Sequence, residues 1–353
     1  MLNETPLSRV IHAQAEKYGA RVALRYRDYD LGQWQDISWN EFSRRVRLVS
    51  NALLELGVGV QENIATFSQN KPECLFTDFG AYGIRAVTIP FYATSSEHQV
   101  QYMVSDANIR YIFVGEQYQY DIALRVMQMN PHVKKLVIFD PKVQKNPQDQ
   151  TSIYFDDFLR MGEGLTHQDE VEKRSDELQP DDLANILYTS GTPGLSKGVM
   201  QTYRQYATAF RGHVTALNLS DRDVILNFLP FTHIFERAWS YLCICYGCTL
   251  CVNLRPQDVL QSMLEVHPTC MSAVPRFWEK VYAGVQEKIH QSSAVQRTLM
   301  LDALRVGREY NVHYRMRGLV PPIGLKMKYK FYEKTVIALL LKNLGLERQN
   351  FFP

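Results

Sequence analysis

The chain has 353 residues, long enough for two or more domain-sized cores, and its 46% hydrophobic and 22% charged residues are an ordinary globular composition. Its 39 Lys and Arg against 37 Asp and Glu leave a net charge of +2, which gives no electrostatic reason for a nucleic-acid partner. The longest uncharged run, Ala238 to Leu254, falls short of the ~20 apolar residues of a spanning helix, and it also holds Ser240, Gly247, Thr249 and Asn253.

The first third alternates strand and helix patterns. Ser38 and Glu41 have the spacing of a capping box, and Phe42, Val46, Val49, Leu53 and Leu56 then recur at helical intervals until Gly57. Ile64–Phe67 reads as a strand, Pro72 opens a helix that ends near Gly83, and Ala86–Pro90 is a second strand. Ser96 caps a helix through Val100 and Met103. Arg110–Val114 and Lys135–Phe139 are further strands with a helix between them. Repeated units of this kind predict α/β architecture: a mostly parallel, doubly wound sheet with helices on both faces.

A polar stretch from Gly162 to Asp182 follows, expected as a surface linker, with a solvated helix face as the alternative. It would separate a first α/β subdomain, residues 1–175, from a second, 176–353. The second restarts at the strand Ala184–Tyr188, and strands are expected again at 224–228, 249–253 and 269–274. The uncharged run reads as a buried helix, a turn at Gly247 and a buried strand. Beyond Pro275 the chain becomes mainly helical and more basic.

The segment Tyr188-Thr189-Ser190-Gly191-Thr192-Pro193-Gly194-Leu195-Ser196-Lys197-Gly198 directly follows an apolar strand. Glycines 191, 194 and 198 allow a backbone to approach an anion closely, the Ser190 and Thr192 hydroxyls can donate to phosphate oxygens, and Lys197 brings a mobile positive charge. The spacing is not that of a Walker loop, because Lys197 precedes its glycine and Val199 stands where Ser or Thr would follow. A Gly-rich turn between two strands uses the same residue types, so residue chemistry alone leaves both readings open.

The same segment resembles the signature loop of the adenylate-forming superfamily, which contains acyl-CoA synthetases, luciferases and peptide-synthetase adenylation domains. Pro193 replaces a usual second Thr, and Ser196 a common Pro. Five further segments resemble long-chain acyl-CoA synthetases in the same order: Trp34–Trp39, Asn70–Glu73, Pro90–Ser96, Leu229-Pro230-Phe231-Thr232-His233-Ile234-Phe235-Glu236-Arg237, and Ala273–Lys280.

The resemblance implies two stacked, doubly wound, mostly parallel sheets with helices between and outside. It implies that Thr189, Ser190, Gly191, Thr192, Pro193, Gly194 and Lys197 hold the ATP phosphates, and that His233 is catalytic, bordering the nucleotide and acyl pocket with Glu236 and Arg237. ATP, Mg2+ and coenzyme A are the implied cofactors, and a fatty acid the implied substrate. The Mg2+-binding Glu of the family is expected beyond Pro353, as are the adenine and ribose motifs and a mobile C-terminal domain. The expectation is therefore an N-terminal fragment that does not turn over alone. Another acid-adenylating enzyme, such as a fatty acyl-AMP ligase, and a non-enzymatic nucleotide- or acyl-binding module are the alternatives.

The six cysteines read as reduced thiols in a cytoplasmic protein, ahead of a zinc site at Cys243, Cys245, Cys248 and Cys251. The segment Leu325–Leu344 carries five lysines around an apolar run. It is expected to pack on the second sheet with a lysine-covered outer face; a peripheral contact with an anionic membrane is the alternative.

Overall fold

Alternating apolar strands and capped helices form the bulk of the molecule. The computed structural model of the chain describes residues 6–189, 196–214 and 217–348. Two compact units emerge: residues 1–223 with 227–256, and residues 224–226 with 257–353.

The first unit runs α1 (Val10–Tyr18), β1 (Val22–Asp28), β2 (Gln33–Ser38), α2 (Trp39–Glu55), β3 (Asn63–Phe67), α3 (Pro72–Gly83), β4 (Val87–Phe91) and α4 (Glu97–Asp106). It continues with β5 (Tyr111–Val114), α5 (Gln117–Met129), β6 (Lys135–Ile138), β7 (Ile153–Tyr154), α6 (Phe155–Met161), α7 (Gln168–Asp176), β8 (Leu183–Thr189), β9 (Lys197–Thr202) and α8 (Tyr203–Val214). After β10 (Val224–Asn227) come α9 (Ile234–Tyr246) and β11 (Thr249–Val252).

The larger sheet has the order β7-β6-β5-β3-β4-β8-β9, and only β8 and β9 pair antiparallel. Strand alternation sends Ala65, Phe67, Ile89, Phe91, Ile112, Val114, Leu136 and Ile138 into one core, where Val100, Val104, Ala123 and Val126 of α4 and α5 meet them. The smaller sheet of this unit runs β11-β1-β2, with β1 parallel to β11 and antiparallel to β2. Two parallel-dominated α/β sheets were the expected class. Helix α3 is buried from Cys74 through Gly83, as a helix apolar on all sides must be. At Gly80 a Cβ would lie 2.4 Å from Val49 Cγ1, so glycine sets the close approach of α2 to α3.

Several sequence expectations change. The polar stretch 162–182 contains a helix, α7, the stated alternative to a surface linker. Asn51 ties it down, accepting from the His167 N–H at 3.1 Å and donating to Gln168 Oε1 at 3.1 Å. Strand β8, expected to open a second subdomain, pairs beside β4 in the larger sheet.

The second unit contains α10 (Val259–Val266), α11 (Pro275–Gln291), α12 (Ala294–Arg308), α13 (Ile323–Tyr332) and α14 (Ala338–Lys342), with π-helical turns at Glu309–Tyr314 and Glu333–Ile337. The strand expected at 269–274 shrinks to a single bridge between Cys270 and Ile225. The Thr269 hydroxyl accepts from the Val224 N–H at 2.9 Å, so a side chain takes a ladder position. The segment 325–344 packs on α12, in place of the expected sheet: Ala303, Val306, Tyr332 and Val336 are its buried core, with Leu325, Tyr329, Ile337 and Leu340 against them.

Candidate active site

The Gly- and Ser-rich segment is the connection of the β8/β9 hairpin. Residues 190–195 lie outside the described residues, and with them the expected sites Ser190, Gly191, Thr192, Pro193 and Gly194. Both ends are described. Thr189 and Lys197 are direct register partners, each exposed, and Gly198 faces Tyr188. A Cβ at Gly198 would lie 2.8 Å from Ile186 Cγ2, so this glycine serves strand packing. Helix α4 braces the hairpin: the Tyr102 hydroxyl donates to the Ser196 carbonyl at 3.0 Å, and the Tyr188 hydroxyl to Asp106 at 2.5 Å. Both rings also meet edge to face at 6.3 Å.

Because β8 is parallel to β4, the hairpin connection leaves the carboxyl edge of the sheet. The chain winds from β3 out to β4 and then back across β3 to β5, so the winding direction reverses here. Open α/β sheets bind ligands outside the carboxyl ends of strands at such a reversal. A cavity of about 190 Å³ lies there, lined by Thr66 and Ser68 after β3, Pro90 and Tyr92 around the end of β4, and Phe231 and Thr232 before α9. Thr66 and Thr232 are 5% and 7% exposed. Their hydroxyls have no partner among the described residues, and a buried hydroxyl left so costs ~1–3 kcal/mol unless a ligand or water meets it.

Asn70 shapes this cavity. It donates to Asn227 Oδ1 at 2.8 Å and to the Leu229 carbonyl at 2.7 Å, and accepts from the Phe231 N–H at 2.9 Å. One side chain thus fixes the course of Leu229–Phe231, and Asn227 in turn donates to Glu236 Oε1 at 2.5 Å.

Beneath the cavity wall lies a buried polar chain. Arg237 donates to the Phe231 carbonyl at 2.7 Å, to Asp78 Oδ2 at 2.7 Å and to the Tyr241 hydroxyl at 2.6 Å. The Tyr241 hydroxyl donates to the same Asp78 oxygen at 2.8 Å and lies 2.9 Å from the Tyr82 hydroxyl. Asn185 of β8 donates to Tyr82 at 2.6 Å and accepts from Tyr206 at 2.7 Å. Burial works against the Arg237 charge, but Asp78 together with Tyr241, Tyr82 and Tyr206 outweighs it and holds the guanidinium pKa well above its ordinary value. Burial, and then the Asp78 charge, push the Tyr82 phenol up to about 12, so it stays a neutral donor.

The predicted site residues therefore fall into separate places. Thr189 and Lys197 meet at the hairpin. Arg237 reaches the cavity, whereas Glu236 turns to Asn227 and is fully buried. His233 is exposed at the N-cap of α9, where Nδ1 accepts from the Phe235 N–H at 3.3 Å, which leaves Nε2 to carry the ring proton. Asn70 carried a family resemblance but no role, and residue patterns did not single out Asp78, Tyr82, Tyr206 or Tyr241. The usable signal was Asp78 itself, one acid within the apolar turns of α3.

The cysteines are all free thiols. Burial pushes Cys74, Cys245 and Cys251 up to about 12, leaving little nucleophilic thiolate. Among the described residues no group of three or more His, Cys, Asp or Glu is placed to hold a metal ion. No described helix is long and apolar enough to cross a membrane.

The profile of a family described as AMP-binding enzyme matches residues 11–318. The human long-chain-fatty-acid–CoA ligase ACSBG1 is 27% identical over 313 residues, covering 86% of this chain and 42% of that protein. The Arabidopsis thaliana long chain acyl-CoA synthetase 4 is 25% identical over 325 residues, covering 88% of this chain and 47% of that one. The chain thus spans less than half the length of these two relatives. Among solved structures, a putative long-chain-fatty-acid CoA ligase from Rhodopseudomonas palustris superposes with a TM-score of 0.64 at 18% identity, covering 84% of this chain and 68% of that one. The adenylation domain of a carboxylate reductase from Mycobacterium chelonae gives 0.67 at 18%, covering 88% and 52%. At that identity the likeness carries the fold alone.

Proposed function

This chain belongs to the AMP-binding enzyme family, and on that premise we propose that it is part of a ligase joining a long-chain fatty acid to coenzyme A through an acyl-adenylate. The observation that carries this reading is the pair Thr189 and Lys197, the two described ends of the signature segment, in register at the carboxyl edge of the sheet.

A carboxylate is a poor acyl donor because its leaving group would be an oxide. Its oxygen attacks the α-phosphorus of ATP, the bond to the bridging oxygen breaks, and pyrophosphate leaves. The thiol of coenzyme A then attacks the acyl carbon, and AMP departs. The protein's part is placement and charge stabilisation. Thr189, Ser190, Gly191, Thr192, Pro193, Gly194 and Lys197 hold the β and γ phosphates, with Lys197 the point charge. His233 borders the reacting carboxylate. Arg237 is a positioning residue acting through the Phe231 carbonyl and Asp78. The described residues offer no cluster of three or more His, Cys, Asp or Glu for Mg2+.

Calorimetric titration with ATP and with pyrophosphate tests the loop. Lys197→Ala is expected to weaken both at least tenfold, about 1.4 kcal/mol; equal binding by both forms refutes the assignment. The Tyr-Gly-x-Thr-Glu and Thr-Gly-Asp segments of the family have no match in these residues. The 353-residue chain is accordingly expected to bind ATP without completing adenylation, and fatty-acid-dependent pyrophosphate release by the purified chain would overturn that.

A further inference from the structure

Packing on α12 consumes one face of the 325–344 segment and leaves the tip of the same helical hairpin bare. Between α12 and α13 the chain passes Arg315–Arg317, turns at Gly318 with a positive φ of 65°, and crosses Pro321 and Pro322 before α13 begins. Met316 is 79% exposed, Val320 90% and Ile323 79%, with Leu319 and Met327 also open to solvent. Five exposed large apolar side chains within twelve residues are more than scattered surface hydrophobes.

The charges around them are one-sided. Residues 310–332 contain Arg315, Arg317, Lys326, Lys328 and Lys330 and not one Asp or Glu. Lys328 pairs with Asp302 at 2.7 Å; the other four have no ion pair among the described residues. Their position beside the apolar tip is the arrangement that binds a surface both anionic and penetrable by hydrocarbon.

We propose that the tip 315–330 docks on an anionic lipid bilayer, with Val320 and Ile323 entering the acyl boundary and the four unpaired cations at the headgroups. A second copy of this chain fits less well, because it would bring the same cations against them. A polyanion without an apolar layer would leave Val320 and Ile323 in water. The inference is independent of the chemistry assigned to the β8/β9 loop.

Co-sedimentation of the 353-residue chain with vesicles is the test, comparing phosphatidylcholine alone with an equimolar phosphatidylcholine–phosphatidylglycerol mixture. Binding is expected only to the mixture, weakening with salt. Each cation near such a surface contributes roughly fivefold in partitioning, so R315Q/R317Q/K326Q/K330Q together should lower it at least about tenfold. V320D/I323D should abolish insertion, and Val320→Trp should show an emission blue shift on the mixed vesicles alone. All these side chains are exposed, and unchanged far-UV circular dichroism checks that each variant folds. No binding to the mixed vesicles at low salt overturns the proposal, as does equal binding by V320D/I323D. A fall in solution mass of V320D/I323D by sedimentation velocity, with vesicle binding unchanged, would make the tip a protein–protein interface and overturn it equally.

Discussion

Arg237 and Asp78 are 1% and 2% exposed, and their contact holds the cavity wall through the Phe231 carbonyl. Removing one partner leaves the other charge buried and alone, a loss of ~3–5 kcal/mol. Arg237→Met should lower the unfolding free energy extrapolated from urea titration by that amount. The double variant Asp78→Leu with Arg237→Met should recover part of it, since no lone charge then remains. His12 supplies a pH-dependent loss. Its burial, with Arg47 and Arg9 nearby, lowers its pKa from 6.5 to about 4, while Ser43 lies 2.8 Å from Nδ1. Between these two values acid protonates the unfolded chain and not the folded one. Stability is therefore complete above pH 6.5 and falls as pH drops toward 4. The loss is on the order of 2 kcal/mol after solvent screening. Thermal melts of His12→Asn should show a shallower decline across this window than the parent chain, and identical slopes would remove His12 as the cause.

At the scale of elements, Gly247 ends α9 with φ 80°, and a Cβ there would fall 2.3 Å from the Tyr18 ring. Gly247→Ala suffers both backbone strain and collision, and should cost more than about 2 kcal/mol. Gly284→Ala on α11, where nothing lies within 4 Å, should cost nothing; paired melts check both. Elements whose signals are local were legible in advance. Ser96 forms the full capping box with Gln99. Ser38 forms only half of one: its hydroxyl accepts from the Glu41 N–H, but hydrogen bonds from Arg44 and Arg45 claim the Glu41 carboxylate and hold its pKa down near 2. The absent strand at 269–274 was misjudged, and the helix at 168–176 stood only as the alternative to a linker, because distant partners decide them, Val224 in one case and Asn51 in the other. The site behaved likewise. The phosphate role proposed for Lys197 was readable from residue type, that of Thr189 only from the resemblance. Asn70 was not, because its role comes from Asn227, Leu229 and Phe231, more than 150 positions away.

Across the molecule the two units differ in how much they bury. The second unit's helical hairpin rests on a core cluster of Ala303, Val306, Tyr332 and Val336, while the larger sheet of the first covers a far more extensive apolar cluster. Local opening follows the density of buried apolar contacts. Amides of residues 294–342 should therefore exchange well before those of β3, β4, β5 and β6 in deuterium-exchange mass spectrometry, and equal protection would contradict this.

The register of β8 and β9 has a consequence for engineering and for divergence. Thr189 and Lys197 oppose each other whatever runs between them, and Tyr102 grips Ser196 from α4. The connection is thus a cartridge held in a fixed socket. Loops of other lengths and chemistries can be exchanged there without shifting the strand faces, so on the proposed reading the grip on the ligand's phosphates is open to grafting at a single place.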